Sequence, residues 1–435
     1  MLNGIRKIWN TVELRKKIIY TFLMLLLYRF VSVIPAPGIN AEYASDIMGM
    51  YAESLPVFGL FSMMTGNAFN QMTVMAMGIT PYINASIIMQ LLCIAIPALE
   101  RLQNDETGAG REKINRITRY VTVALAALQA VGIVSNLTMD VGYYSIPMIK
   151  DGAWYNYVLV AISMAAGTAL AMWIGERITE KGIGNGISLL IFVGIVSNLF
   201  TGIIGSFNSN AATSGWVNLI VIVVVAILMT IAVTFVELAE RRVPLQIAKQ
   251  TKGRRVYGGQ NTRLSLKVVS VGVMPMIFAY SFLAFPGTIA AIVSPNGGFT
   301  QWWNANMASN TWGYIVVSSL LIMAFTFFYS SISFDPAKQA EQLIMQGATI
   351  PGQRGKNIRN YLQTIVSRLN LFAALFLAVL AAIPSLLFML LHVSLPFAAS
   401  SILIAVSVAL ETIRTVEGEM SIRGIEMDVD RGGFM

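Results

Sequence analysis

The chain has 435 residues, 56% of them hydrophobic and only 12% charged, with a formal net charge of +8 and a mean hydropathy of +0.66. Long apolar runs with so little charge exclude an ordinary soluble domain and define a polytopic membrane protein. One cysteine, Cys93, and one histidine, His392, exclude a disulfide framework and leave no thiolate and imidazole set for a protein-built zinc site.

Residues 1–17 are basic and amphipathic: Ile5, Ile8, Trp9 and Val12 recur on one helical face, opposite Arg6, Arg15, Lys16 and Lys17. That pattern predicts a cytoplasmic segment lying on an anionic lipid surface. The first apolar run flows into Pro35-Ala-Pro37-Gly38 with no small-x-small cleavage site, so it is expected to remain as a span. Ten segments are long and apolar enough to cross a bilayer: 18–35, 73–92, 117–137, 154–174, 183–203, 216–237, 268–292, 312–333, 370–391 and 396–413. Arg29 in the first is costly in hydrocarbon unless it snorkels or faces a polar interior. Cys93 lies in an apolar run and is expected to pack as a small hydrophobe. Between the first two segments, residues 58–72 are partly apolar, too short to span and broken at Gly66-Asn67, which predicts a re-entrant half-helix packed inside the protein. The stretch 206–215 reads as a small polar outer loop, and Trp302-Trp303 as an interfacial pair.

Cations crowd the amino end, the loops after the second, fourth, sixth and eighth segments, and the tail, whereas the opposite side holds only Lys150. This asymmetry places both termini and the large loops 238–267 and 334–369 in the cytoplasm, which an even number of spans requires. Ten segments divide into five plus five, and an odd number per half makes the halves inverted. The expected organisation is an amphipathic segment 1–17, an amino-terminal half 18–203, a carboxy-terminal half 204–413 and a cytoplasmic tail 414–435.

Two spans stand out. MGITPYINASIIMQLL at 77–92 carries Gly78, Pro81, Asn84, Ser86 and Gln90, and its cadence returns as GVMPMI at 272–277. Gly/Pro-interrupted spans at corresponding places in two halves point to the functional site of a transport protein. At about 1.5 Å per residue, Ile83 and Ile277 each lie roughly 15 Å along their spans, near the middle of a core about 30 Å thick. Ile79 and Ile83, and likewise Ile187 and Ile191 beside the glycines of 182–186, are i, i+4 pairs. Such isoleucines serve equally well as packing residues. The dense cation run at 240–257, with Arg241, Arg242, Lys249, Arg254 and Arg255, and the tip at 347–357, with Arg354 and Lys356, read either as solvated positive-inside loops or as a docking surface for an acidic or nucleic-acid-bearing partner. No phosphate loop and no H-E-x-x-H is present, so no enzymatic activity, cofactor or metal is expected. A gradient-coupled secondary transporter is the rival reading, with Glu237 and Glu411 as its candidate coupling groups, and an insertase without a through-pore is a third.

Taken together, MGITPYINASIIMQLL (77–92), WIGERITEKGIGNGISLLIF (173–192), FVSVIPAPGI (30–39), ERRVPLQIAK (240–249), GRRVYGGQ (253–260) and GVMPMIFA (272–279) resemble the SecY family, the channel subunit of the bacterial protein translocase. The resemblance covers essentially the whole chain. It implies an all-α fold of ten transmembrane helices in two inverted five-helix halves around a central pore. It implies a pore ring of Ile79, Ile83, Ile187, Ile191, Ile277 and Ile404, a plug carrying Phe61, Met64, Gly66 and Asn67, and a lateral gate between the second and seventh segments with Asn84, Gln129 and Phe285. The implied partners are SecE and SecG in a heterotrimeric core, the SecA ATPase, the ribosome, signal peptides, unfolded preproteins and anionic lipids. The implied location is the bacterial cytoplasmic membrane. One departure is visible: GQRGK at 352–356 keeps Arg354 but lacks the proline common at this loop tip.

Overall fold

Hydrocarbon offers no partner to a backbone N–H or C=O, so long apolar runs must satisfy their own polar groups and fold as helices. The computed structural model describes residues 11–40, 65–103, 108–136, 154–211, 216–247, 250–252, 255–257, 261–269, 297–307, 311–345, 348–352, 356–391 and 399–422, with isolated positions between them. The helices are α1 (Val12–Val31), α2 (Thr80–Ala95), α3 (Pro97–Gln103), α4 (Ala109–Asn136), α5 (Trp154–Lys181), α6 (Gly186–Ala211), α7 (Trp216–Leu238), α8 (Gly298–Asn306), α9 (Trp312–Ser333), α10 (Pro336–Met345), α11 (Lys356–Leu391) and α12 (Ala399–Ile422). Nine of the ten predicted spans carry a helix, and the seventh, 268–292, lies mostly outside the described residues. Five helices are individually long and apolar enough to cross a membrane among the described residues, six if α2 and α3 form one bent span.

Boundaries moved where local chemistry was underestimated. The second span begins at Thr80 rather than 73, because residues 66–79 form a run of turns. It breaks after Ala95, where Ile96 is extended at φ −112° and ψ 109° and the next helix turns away by 110°. The cause is Pro97, whose ring disfavours helical backbone at the residue before it. Helix α6 continues to Ala211, through most of the stretch read as a polar loop. No proline interrupts 206–211, and Ser and Asn oppose a helix only weakly.

The chain forms two compact units: Met1–Gly205 with Ala290–Pro295 and Val408–Met435, and Ser206–Ile289 with Asn296–Ser407. In the first, α4 packs on α2 and α5, and α1 packs on α5. Its core joins Ala36 and Ile39 after α1, Phe69, Met72 and Met77 of the turns, Ala126 and Ala130 of α4, and Val160 and Met164 of α5. The outer face of α1, with Phe22, Leu23, Leu26 and Phe30, is exposed, while Leu14, Thr21 and Tyr28 are buried. An apolar stripe of that extent outside the core is a surface for lipid or for a partner helix. Lys17 pairs with Glu419 of α12 at 2.5 Å, and Leu14 packs with Ile183 and Met420.

In the second unit, α9 and α10 both pack on α11. The basic loop holds a feature that composition did not foretell. Strand β1 (Glu240–Ile247) pairs antiparallel with β4 (Asn261–Lys267), Val243 opposite Leu264. A smaller hairpin of β2 (Gln250–Lys252) and β3 (Arg255–Tyr257) lies between them in sequence, and β5 (Ala348–Thr349) adds to the end of β1. Alternation explains the strand: Val243 and Leu245 are buried while Arg242, Pro244 and Gln246 are exposed. Pro244 is tolerated because β5 covers only Gln246 and Ile247, so β1 has a single neighbour there. Val243, Leu245 and Leu266 form a small core with Leu343 of α10 and Ile358 and Leu362 of α11. Each such burial is worth about 1.5–3 kcal/mol.

Candidate functional site

The stretch between α1 and α2 is the least regular backbone inside the first unit. Positions 62 and 65 are helical, and the turns begin at Gly66. Gly66 and Asn67 both take left-handed backbone, at φ +65° and +73°, a pair that ends a helix and that glycine and asparagine tolerate best. The half-helix expected over 58–72 therefore gives way to turns in its second part; Phe61 and Met64 lie outside the described residues. Hydrogen bonds carry the irregular backbone. Thr65 Oγ1 accepts from the Phe69 N–H at 3.2 Å, Asn70 Nδ2 donates to Asn67 Oδ1 at 2.8 Å, and Thr73 Oγ1 donates to the Ala68 carbonyl at 3.3 Å. Two bonds tie the stretch to the loop after α1: Ala36 N–H to the Met72 carbonyl at 3.0 Å, and Val74 N–H to the Ile34 carbonyl at 2.9 Å. Phe69, Met72 and Met75 are fully buried. Irregular backbone at membrane depth is stable only when enclosed in this way.

Helix α2 starts within the Gly-x-x-Pro cadence rather than at residue 73. Gly78 is left-handed at φ +51°, Ile79 is the N-cap, and Pro81 stands in the first turn, where its missing N–H has no helical partner to lose. In the second half Gly272 is also left-handed, at φ +62°, and Met274–Met276, with Pro275, is helical. The echo between the halves is thus conformational as well as sequential.

Of the six ring positions, Ile79, Ile83, Ile191 and Ile404 are buried and Ile187 is half-buried. Ile277 lies outside the described residues. Ile79 and Ile83 occupy one face of the first turn of α2, the Ile83 N–H bonding the Ile79 carbonyl at 3.1 Å. Ile187 and Ile191 open α6 in the same unit. Ile187 also packs on α5: a Cβ at Gly175 would stand 3.0 Å from its Cγ1. Of the gate positions, Asn84 on α2 and Gln129 on α4 are half-buried on helices that pack together, and Phe285 lies outside the described residues. Of the docking residues, Arg241 and Arg242 are exposed on β1, Arg255 lies on β3 and Lys356 opens α11. Lys249, Arg254 and Arg354 lie outside the described residues. Among the described residues no cluster of three or more His, Cys, Asp or Glu could hold a metal ion.

Two contributors escaped sequence reasoning. A Cβ at Gly167 of α5 would stand 1.9 Å from the Val74 carbonyl oxygen, so the absence of a side chain there lets the turns lie against the helix. No local signal marks it, because a glycine in an apolar helix reads as ordinary packing. The other is the ion pair of Arg119 on α4 with Glu176 on α5, Nε to Oε1 at 2.7 Å; only packing brings these together.

Residues 73–413 match the family described as SecY. The chain belongs to the SecY family. Among its relatives, the protein translocase subunit SecY of Streptomyces galbus is 37% identical over 434 residues, covering 98% of this chain and 99% of that one. That of Corynebacterium glutamicum is 39% identical over 440 residues, 96% of this chain and 98% of that one. The fold is similar to a solved protein-conducting channel, with a TM-score of 0.67 at 19% identity over 95% of this chain and 94% of the other. It is similar as well to a SecY structure whose plug domain stabilises the closed state and maintains a membrane seal, with a TM-score of 0.65 at 18% identity over 95% of this chain and 94% of that one. Membership of the SecY family makes the chain a multi-pass membrane protein of a channel family, not of an enzyme family.

Proposed function

We propose that this chain is the protein-conducting subunit of a bacterial protein translocase, passing unfolded secretory proteins across the cytoplasmic membrane. The observation that carries the reading is near full-length identity of 35–39% to curated SecY subunits. Translocation by such a subunit needs a path that does not select among sequences. A waist built from Ile79, Ile83, Ile187, Ile191, Ile277 and Ile404 has no hydrogen-bonding side-chain groups, so it holds no particular peptide, and when closed it dewets and blocks ions. Burial of Ile79, Ile83, Ile191 and Ile404 supports that role. The stretch containing Phe61, Met64, Gly66 and Asn67 acts as the plug, and its enclosed, hydrogen-bonded turns suit a removable seal. Asn84, Gln129 and Phe285 line a sideways exit through which signal sequences and membrane segments enter lipid.

Both termini and the large basic loops face the cytoplasm in this reading, as the one-sided distribution of cations requires. The exposed Arg241 and Arg242, held on a hairpin with its own core, present a rigid cationic surface, and Lys249, Arg254, Arg255, Arg354 and Lys356 extend it in sequence. Its partners are the SecA ATPase and the ribosome, with SecE and SecG completing a heterotrimeric core in anionic lipid. Similar folds occur in Sec61 of the canine ribosome-channel complex and in the idle yeast Ssh1 complex bound to the 80S ribosome. The decisive experiment reconstitutes the chain with SecE and SecA in vesicles and scores ATP-dependent protection of a secretory substrate from added protease. Protection by the full set and none without ATP is expected; an inert complex that is properly folded would overturn the reading.

A further inference from the structure

A half-buried cation on an apolar helix has to be explained by what it touches, and Arg29 has specific partners. It lies near the end of α1, on the helix that also buries Tyr28. Its Nη1 donates to the Gly66 carbonyl at 3.2 Å and lies 3.5 Å from Ser32 Oγ, and its Nη2 bonds the Ser197 hydroxyl of α6. Ser32 Oγ in turn donates to the Arg29 carbonyl at 2.7 Å. No carboxylate pairs with Arg29 among the ion pairs of the described residues. Its partners among the described residues are dipoles, above all the Gly66 carbonyl just after Thr65. Asn198, next along α6, adds a donor to the same stretch, Nδ2 to the Ser62 carbonyl at 3.5 Å. Space confirms the fit: a Cβ at Gly66 would stand 2.7 Å from Arg29 Nη1 and 2.8 Å from the Gly194 carbonyl.

We propose that Arg29 is the latch of the seal, its guanidinium bonded at once to the Gly66 carbonyl and to Ser197, holding the re-entrant stretch seated in the first unit. The proposal rests on the reading of that stretch as the plug. Arg29 touches no translocating chain; it is a positioning residue. While the stretch is seated the arginine has acceptors and the turn has a cationic cap. Once the stretch leaves, the arginine loses the Gly66 carbonyl and water must enter to replace it, so the closed arrangement is favoured. Charge-assisted hydrogen bonds are the strong ones, and losing one changes an equilibrium by roughly tenfold or more.

The test measures ion leak through the idle chain, reconstituted with its translocase partners in planar bilayers. Arg29→Met is expected to raise the leak roughly tenfold, and Ser197→Ala and Arg29→Lys several-fold each, since a single ammonium keeps the Gly66 carbonyl but not Ser197 as well. Deletion of residues 62–67 should leak by itself, and adding Arg29→Met to the deletion should leak no further, because the latch then has nothing to hold. Should Arg29→Met fail to assemble, Ser197→Ala decides the question. A deletion that leaks beside an Arg29→Met channel as tight as the parent overturns the latch and leaves the plug reading standing. A deletion that does not leak overturns both.

Discussion

Gly167→Ala is the sharpest probe of how the turns between α1 and α2 are seated. A Cβ there would stand 1.9 Å from the Val74 carbonyl oxygen, 2.7 Å from its carbon and 3.1 Å from Val74 Cγ1. Ordinary contact begins near 3.4 Å, so backbone must move by about 1.5 Å, the difference of those two distances, and no rotamer change can relieve a clash with a main-chain carbonyl. Overpacking of this kind costs about 1–3 kcal/mol. The movement also strains the Val74–Ile34 and Ala36–Met72 backbone bonds, each worth about 0.5–1.5 kcal/mol. Together these give a loss of about 2–6 kcal/mol. The thermal unfolding midpoint of the detergent-solubilised complex, followed by intrinsic fluorescence at one scan rate, should fall by roughly 2–7 °C. Gly132→Ala is the matched control. It is a glycine of α4 with nothing within 4 Å of its absent Cβ, and alanine favours a helix over glycine by about 1 kcal/mol. An unchanged or raised transition for Gly167→Ala would refute the close seating of the turns on α5.

Three further outcomes are expected. Serine in place of Ile83, Ile187 and Ile277 together should make the idle channel conduct ions, because a polar waist wets; unaltered conductance in planar bilayers would count against the ring. In a Cys93→Ser background, cysteines at Asn84 and Phe285 should crosslink when the sideways exit is shut, and no crosslink in any state would rule out their adjacency. Arg354→Glu should abolish partner-driven translocation while leaving the transition temperature unchanged, so normal transport in the reconstituted assay would sink its docking role.

The legible parts of this molecule are those set by short-range chemistry. Apolar length produced nine helices where spans were expected, because a backbone in hydrocarbon has only its own carbonyls to bond. The Gly-x-x-Pro repeat was legible because it is local, and both of its glycines, Gly78 and Gly272, take left-handed backbone. Errors arose where neighbours mattered. The span starting at Thr80 was drawn too early, because residues 73–79 are as apolar as a helix but are held in turns by bonds to Ile34 and Ala68. The cation-rich loop folded into a hairpin because Val243 and Leu245 find Leu343 and Ile358, residues whose approach no window of sequence reveals.

Composition and periodicity by themselves determined a helical membrane protein, the approximate places of nine of its spans and the suspicion attached to Arg29. Tertiary structure alone decided what Arg29 touches: a carbonyl 37 residues away and a hydroxyl 168 residues away. Helix formation is decided within a few residues, whereas the partner of a half-buried charge is whichever polar group packing delivers.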